Sequence, residues 1–323
     1  MLCNIPIDIL IKILNLSLNK LFLLKKSSKY YNAFIKKNKL KGVIISPKYF
    51  LFGGINCKDI IELDLEKKNL LKINKLPFII NDGTCIKKDD KIYLIGGNID
   101  FIKFTNKILI YNLKTNEIEK KKYNLLECRH KFASVLHKNK VYCFGGNNET
   151  NMEIINLDTM DIILHKNFLP FKLFRMQATI INDIIYIIGG GSTFSPLPNL
   201  YSYHINSNIL YRLNNMHFPR NSHEIITIND IIYVIGGIGI SITNSLESYN
   251  ISSGKWEILK SMHIARYSHK AVFYNGYIMV FGGISSKPGN LKTEYYDIEK
   301  NEWFLCKKGI NIDNYCLISP KNL

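Results

Sequence analysis

Apolar runs recur along the chain at even spacing. They stand at 49–52 (YFLF), 92–95 (IYLI), 141–144 (VYCF), 185–188 (IYII), 232–235 (IYVI) and 277–281 (YIMVF), and each ends directly in a Gly-Gly pair. The pairs begin at Gly53, Gly96, Gly145, Gly189, Gly236 and Gly282, at intervals of 43, 49, 44, 47 and 46 residues. A short run that is apolar at every position predicts a strand covered on both faces. The glycines behind it predict a turn that a side chain would obstruct.

A second mark keeps the same period. Behind each diglycine an apolar or aromatic residue is followed seven positions later by another: Leu63/Leu70, Tyr111/Ile118, Ile155/Ile162, Tyr203/Leu210, Tyr249/Trp256 and Tyr296/Trp303. Polar segments such as DLEKK, NLKTN, NISSG and DIEKN lie between them, which predicts strand, turn, strand. A further short strand precedes each glycine run, as in HKAVFY and HEIITI. Each unit is therefore a four-stranded antiparallel meander, too small to bury both of its faces alone, and radial packing of such units solves that problem.

The marks resemble kelch repeats most fully in the last two units, NSHEIITINDIIYVIGG with Tyr249 and Trp256, and YSHKAVFYNGYIMVFGG with Tyr296 and Trp303. In units one to four Leu or Ile replaces the Trp. The resemblance covers residues 42–323 and implies an all-β, six-bladed kelch-type β-propeller. Ring closure stays open, because LKGVIISPKYFLFGG aligns without a gap to HKAVFYNGYIMVFGG while NYCLISP stands where another inner strand would begin.

Residues 1–41 carry helical periodicity instead, with Leu10, Ile13, Leu14, Leu21, Leu24 and Phe34 at mixed spacings of three, four and seven. Asn4 can cap the first helix, with Pro6 in its first turn. The plain reading is a helical cap on the propeller. The stretch also resembles an F-box: Ile5-Pro6 at the start, Ile9-Leu10 and Ile13-Leu14 on the first helix, then Leu21, Leu24, Ser28-Lys29, Tyr31 and Ile35. It departs from that family by one residue fewer between the first two helices, by Lys26 and Ser27 at usually apolar places, and by Tyr31 for a usual Trp. The resemblance implies that Pro6, Leu10, Ile13, Leu14, Leu21 and Leu24 dock on a Skp-type adaptor.

The net charge of +17 would ordinarily point to nucleic acid, but the basic residues are 38 Lys and five Arg in a chain also rich in Ile and Asn. That is what A/T-rich codons encode, so nucleic acid is not expected as a partner. Nine lysines against Asp8 alone concentrate charge in residues 1–41. The seven cysteines are scattered without a CxxC pair, which fits reduced thiols in a cytoplasmic or nuclear compartment. The apolar start lacks the basic n-region and cleavage site of a signal peptide, and no stretch has the length and freedom from charge of a membrane span.

No GxSxG, HExxH, Walker-type loop or dinucleotide fingerprint occurs, so no enzyme, cofactor or metal site is expected. Gly189-Gly190-Gly191 falls in the phase of the structural glycines. Lys120–Lys122 fall where the outer strand of unit two is predicted, as a solvated edge. Arg129, Arg220 and Arg266 each stand 16 residues before their diglycine, and Arg175 stands 14 before. With His130, His223 and His269 they are predicted on one rim, either as framework residues or as the recognition surface for an acidic or phosphorylated peptide. The longer loops 98–106, 191–199 and 284–292 share that rim, with Phe101, Phe104, Phe194 and Leu197 expected to be exposed.

The resemblances together imply the substrate-recognition subunit of a Skp-cullin-F-box type ubiquitin ligase, non-enzymatic, with the cullin ligase core and a captured target protein as partners. The alternative is a kelch scaffold that binds cytoskeletal or signalling proteins.

Overall fold

A computed structural model of the protein describes residues 49–53, 57–64, 69–100, 103–147, 149–192, 195–286 and 291–306, with the backbone of 316–318. Residues 1–48 lie outside the described residues, and with them the F-box-like segment and its Pro6, Leu10, Ile13, Leu14, Leu21 and Leu24. Among the described residues every regular element is a β-strand. The sheets belong to one unit, Pro47–Phe273 with Tyr277–Leu323.

The predicted meanders are present. Four antiparallel sheets in a row take their strands in chain order: Ala133–His137, Lys140–Phe144, Met152–Asn156, Ile162–His165 (third sheet); Gln177–Ile181, Ile184–Ile188, Leu200–His204, Ile209–Arg212 (fourth); Glu224–Ile228, Ile231–Ile235, Leu246–Asn250, Lys255–Leu259 (fifth); and Lys270–Tyr274, Tyr277–Phe281, Glu294–Asp297, Glu302–Leu305 (sixth). The second sheet joins Thr84–Lys88, Lys91–Ile95, Lys107–Asn112 and Glu117–Ile118, and Tyr123–Asn124 also pairs with its third strand. Lys120–Lys122 interrupt that outer edge, exposed as expected. In the first sheet the order is Cys316–Ile318, Tyr49–Phe52, Asp59–Asp64, Asn69–Lys75, so the segment within NYCLISP supplies the innermost strand.

The seven-residue intervals are cross-strand pairs in all six sheets: Leu63 faces Leu70, Tyr111 Ile118, Ile155 Ile162, Tyr203 Leu210, Tyr249 Trp256, and Tyr296 Trp303. A fixed interval across a tight turn fixes the register, and a one-residue slip would turn each apolar pair to the wrong face. Three of the tyrosines also hold the turn they precede, their hydroxyls donating to Asn116, Asn208 and Asn301, each at positive φ. Both tryptophans donate Nε1–H to a carbonyl of the unit before, Trp256 to Asn214 and Trp303 to Lys260.

The core lies between successive sheets. Phe52 and Ile60 of the first pack with Ile92 and Tyr111 of the second. Ile95 and Ile110 of the second meet Val141 and Ile155 of the third, and Tyr142 and Phe144 of the third meet Ile185 and Tyr203 of the fourth. The fourth and fifth join through Tyr186, Ile188, Ile232 and Tyr249, and the fifth and sixth through Tyr233, Ile235, Val280 and Trp303. Each second strand is thus covered on both sides, which is why its sequence is apolar at every position.

Candidate functional site

In units two to six the loop behind the diglycine folds back against the segment that opens the unit. Asn98–Ile99 pairs with Ile80–Asn81 and with Lys103–Phe104 in a small sheet of its own, and single bridges join Phe174 to Gly191, Asn221 to Ile238 and Tyr267 to Ile284. The two kinds of loop therefore share one end of the sheets, as the meander requires. Between them the diglycines allow close approach: a Cβ on Gly237, at φ +104°, would stand 2.6 Å from the Asn221 carbonyl oxygen.

Arg129, Arg220 and Arg266 do not reach a rim surface. Their side chains are fully buried, and the partners are glutamates on the third strand of the same sheet: Arg129 Nε lies 2.7 Å from Glu153, Arg220 Nη2 2.6 Å from Glu247 and Arg266 Nη2 2.9 Å from Glu294. Further donors go to backbone carbonyls, those of Gly145 and Asn151, of Gly236 and Ser245, and of Gly282 and Lys292 respectively, and Arg129 Nη2 also pairs with the Glu127 carboxylate at 3.0 Å. The carboxylates accept more than the guanidinium. Glu247 also takes the amides of His217 and Phe218 and faces the His217 ring at 2.9 Å, and Glu294 repeats this with His263 and Ile264. Three of the arginines thus belong to the framework, one of the two roles the sequence left open.

Sequence reasoning missed the glutamates. Their signal was there: Glu153, Glu247 and Glu294 each stand two residues before the apolar mark, on the same buried face of the strand. Two other units replace the pair jointly. The fourth sheet has Leu173 and Tyr201 at these places, 0% and 3% exposed, and the second has Ile80 and Leu109. The backbone proves the correspondence, because the Leu173 carbonyl accepts from Gly146 as the Arg129, Arg220 and Arg266 carbonyls accept from Gly97, Gly190 and Gly237.

Arg175 sits two residues past Leu173 and belongs to a different row, as its spacing of 14 foreshadowed. Asp82, Lys131, Arg175, Ser222 and Ser268 all adopt positive φ, and each amide donates to the carbonyl of the residue before it in that series. This backbone chain links five sheets. The Arg175 side chain is half-buried, and Lys131 lies 3.9 Å from Asp82.

His223 and His269 are buried three residues behind their arginines, each with Cε1 against the diglycine of the sheet before. Burial, reinforced by the adjacent guanidinium, pushes His223 down to about 3 and holds His269 well below the ordinary imidazole value, so both are neutral framework groups. His130 is pushed down to about 4 by burial and by Lys131. It bonds Asn147, and Phe104 stacks on its ring with centroids 3.9 Å apart. Phe104 is 47% exposed. Leu197, expected to be exposed, is half-buried against the core of the third and fourth sheets. Phe101 and Phe194 lie outside the described residues. Of the rim set, Arg175 and Phe104 are the described side chains still open to a partner.

The profile of the Attractin/LZTR1 β-propeller matches residues 92–315. The chain belongs to this family. Two zebrafish (Danio rerio) relatives are Kelch-like protein 41a, 28% identical over 131 residues, and Kelch-like protein 41b, 28% identical over 134. These alignments cover 39% and 41% of the present chain but only 22% and 21% of the relatives, so the chain spans about a fifth of their length. The family assignment agrees with the kelch-type marks, and the structural features above explain what those marks do: diglycines admit the neighbouring carbonyl, and the aromatic pair sets the register.

Proposed function

We propose that the six sheets are the six blades of a kelch-type propeller that captures a target protein, and that the chain is the recognition subunit of a Skp-cullin-F-box type ubiquitin ligase. Residues 1–41 dock on the Skp-type adaptor in this reading, through Leu10, Leu14 and Leu21. The chain catalyses nothing itself. It holds a target close to a ubiquitin-loaded enzyme and raises the effective concentration of target lysines.

The observation that carries the binding half is the exposed Phe104, held in place by stacking on His130, on the same loop end as the half-buried Arg175 and Lys131. An aromatic anchor beside fixed cations suits an acidic or phosphorylated peptide. The relatives' kelch-like character supports a protein-binding role, and the F-box resemblance supports the ligase. The test is affinity purification of the intact protein, of Leu14→Asp and of a chain lacking residues 1–41. Intact protein should recover the adaptor and targets, and both altered forms should recover targets alone. Recovery of targets without adaptor by the intact protein would favour the scaffold reading.

A further inference from the structure

One place in the repeat has reversed its chemistry. In the fifth sheet it holds Glu247 with Arg220, the His217 amide and ring, and the Phe218 amide, and the strand opposite offers the apolar Ile258. In the sixth it holds Glu294 with Arg266, His263 and Ile264, opposite Leu305. The fourth sheet has Tyr201 for the glutamate, Leu173 for the arginine, and Pro170, which has no N–H to give, for the histidine. Opposite Tyr201, where the third, fifth and sixth sheets are apolar, stands Arg212.

The exchange leaves space. Phe168, Pro170, Phe171, Tyr201, Leu210 and Arg212 line a cleft of about 400 Å³. Phe171 and Tyr201 stand 6.4 Å apart at 64°, and Phe168 is fixed edge-on to Tyr203 at 4.9 Å, so the aromatic walls are held by the core beneath them. Arg212 is exposed and makes no ion pair or hydrogen bond among the described residues. In a chain with only five arginines, it is the one outside both the buried pairs and the left-handed row. Lys166 and Lys172 are exposed on the loop that carries Phe168 and Phe171.

We propose that this cleft docks an acidic peptide segment, taking one aromatic or branched aliphatic side chain between Phe168, Phe171 and Tyr201 while Arg212 pairs with a carboxylate beside it. The occupant follows from charge and shape. A chain of net charge +17 with cations around the cleft attracts an acidic segment, and the apolar walls give back nothing to a polar one. The planar guanidinium fits a carboxylate with two parallel hydrogen bonds. The cleft is walled by the third and fourth strands and by residues 168–171 of the loop that leads to Arg175; neither Phe104 nor Arg175 lines it, and it is independent of the ligase reading.

The full-length chain would be panned against a displayed library of random peptides. Enriched peptides should place Phe, Tyr, Trp or Leu next to Asp or Glu. A fluorescein-labelled enriched peptide, followed by polarisation, should bind at least about tenfold more weakly to Arg212→Ala. Arg212→Lys should fall between, and Phe171→Ala should lose binding with its melting temperature checked. Phe104→Ala and Arg175→Ala should bind it normally. Failure to enrich any peptide, enrichment without the acid, or binding indifferent to Arg212→Ala would overturn the proposal. So would sedimentation showing a dimer that Arg212→Ala dissolves, since a second copy would then fill the cleft.

Discussion

The fifth and fourth sheets solve one packing problem in opposite ways. Each must join its opening loop to its third strand in a water-free place. The fifth uses Arg220 and Glu247, both fully buried, with the carboxylate also taking the His217 and Phe218 amides and facing the His217 ring, whereas the fourth uses Leu173 and Tyr201. That both members change together is what the energetics demand, because a buried charge without its partner is far worse than either complete solution. The Arg–Glu pair therefore serves as a unit, and the unit is dispensable. Its replacement released one site in the repeat for another use.

The largest expected effect comes from splitting the pair. Glu247→Ala should lower unfolding free energy by about 3–5 kcal/mol in urea denaturation, since it strands a buried guanidinium and two amides. Arg220→Leu/Glu247→Leu, which copies the apolar Ile80–Leu109 solution, should lose less than either single change. A double mutant that loses the sum would break the comparison. Gly237→Ala should cost about 3 kcal/mol, through its positive φ and the Asn221 carbonyl in its path. Gly191→Ala should cost about 0.5 kcal/mol or less, because Ile238 and Ile284 already occupy the corresponding places in the fifth and sixth sheets.

Acid should separate the sheets as well. His223 titrates near 6.5 when unfolded and at about 3 when folded, so the unfolded state binds the proton first. The stability is complete above about pH 6.5 and is lost as pH falls from there toward the folded value. The loss is about 2 kcal/mol for His223 between pH 7 and 5, and His269 changes in the same direction. The fourth sheet has Met176 and the third Phe132 where the fifth has His223, so His223→Met should flatten the acid limb of a stability curve. A limb left unchanged would assign the titration elsewhere. The smallest stability effect belongs to Arg175→Ser, which installs the residue of the fifth and sixth sheets in the left-handed row. Its melting should change by less than about 0.5 kcal/mol, while an acidic target at the Phe104 rim should be captured less well.

The repeat was legible in the sequence because two of its determinants are local: a diglycine where carbonyls crowd, and an apolar pair whose spacing across a turn sets register. Burial of the arginines was not local. A guanidinium disappears from solvent only if a glutamate two strands away faces it, and that partner lay some 24 to 28 residues downstream without a motif around it. Arg175 looked like a fourth member through chemical identity, yet its two-residue offset already separated it. The cleft beside Arg212 was illegible for a related reason, since it exists through what Leu173, Pro170 and Tyr201 fail to provide. The small sheet that turns Phe104 outward depends on pairing between two loops, which periodicity does not report.

The pairing of Cys316–Ile318 with Tyr49–Phe52 gives the molecule a direction in time. Phe50 and Ile318 face each other across 268 positions of chain, so the first sheet to leave the ribosome is the last to be completed. Until then the apolar strand Tyr49–Phe52 is an open edge, able to pair with any extended segment it meets. Such long-range contacts form slowly. The interval in which this chain can be lost to aggregation or claimed by a chaperone is therefore set at its first sheet, and by the arrival of three residues near position 317.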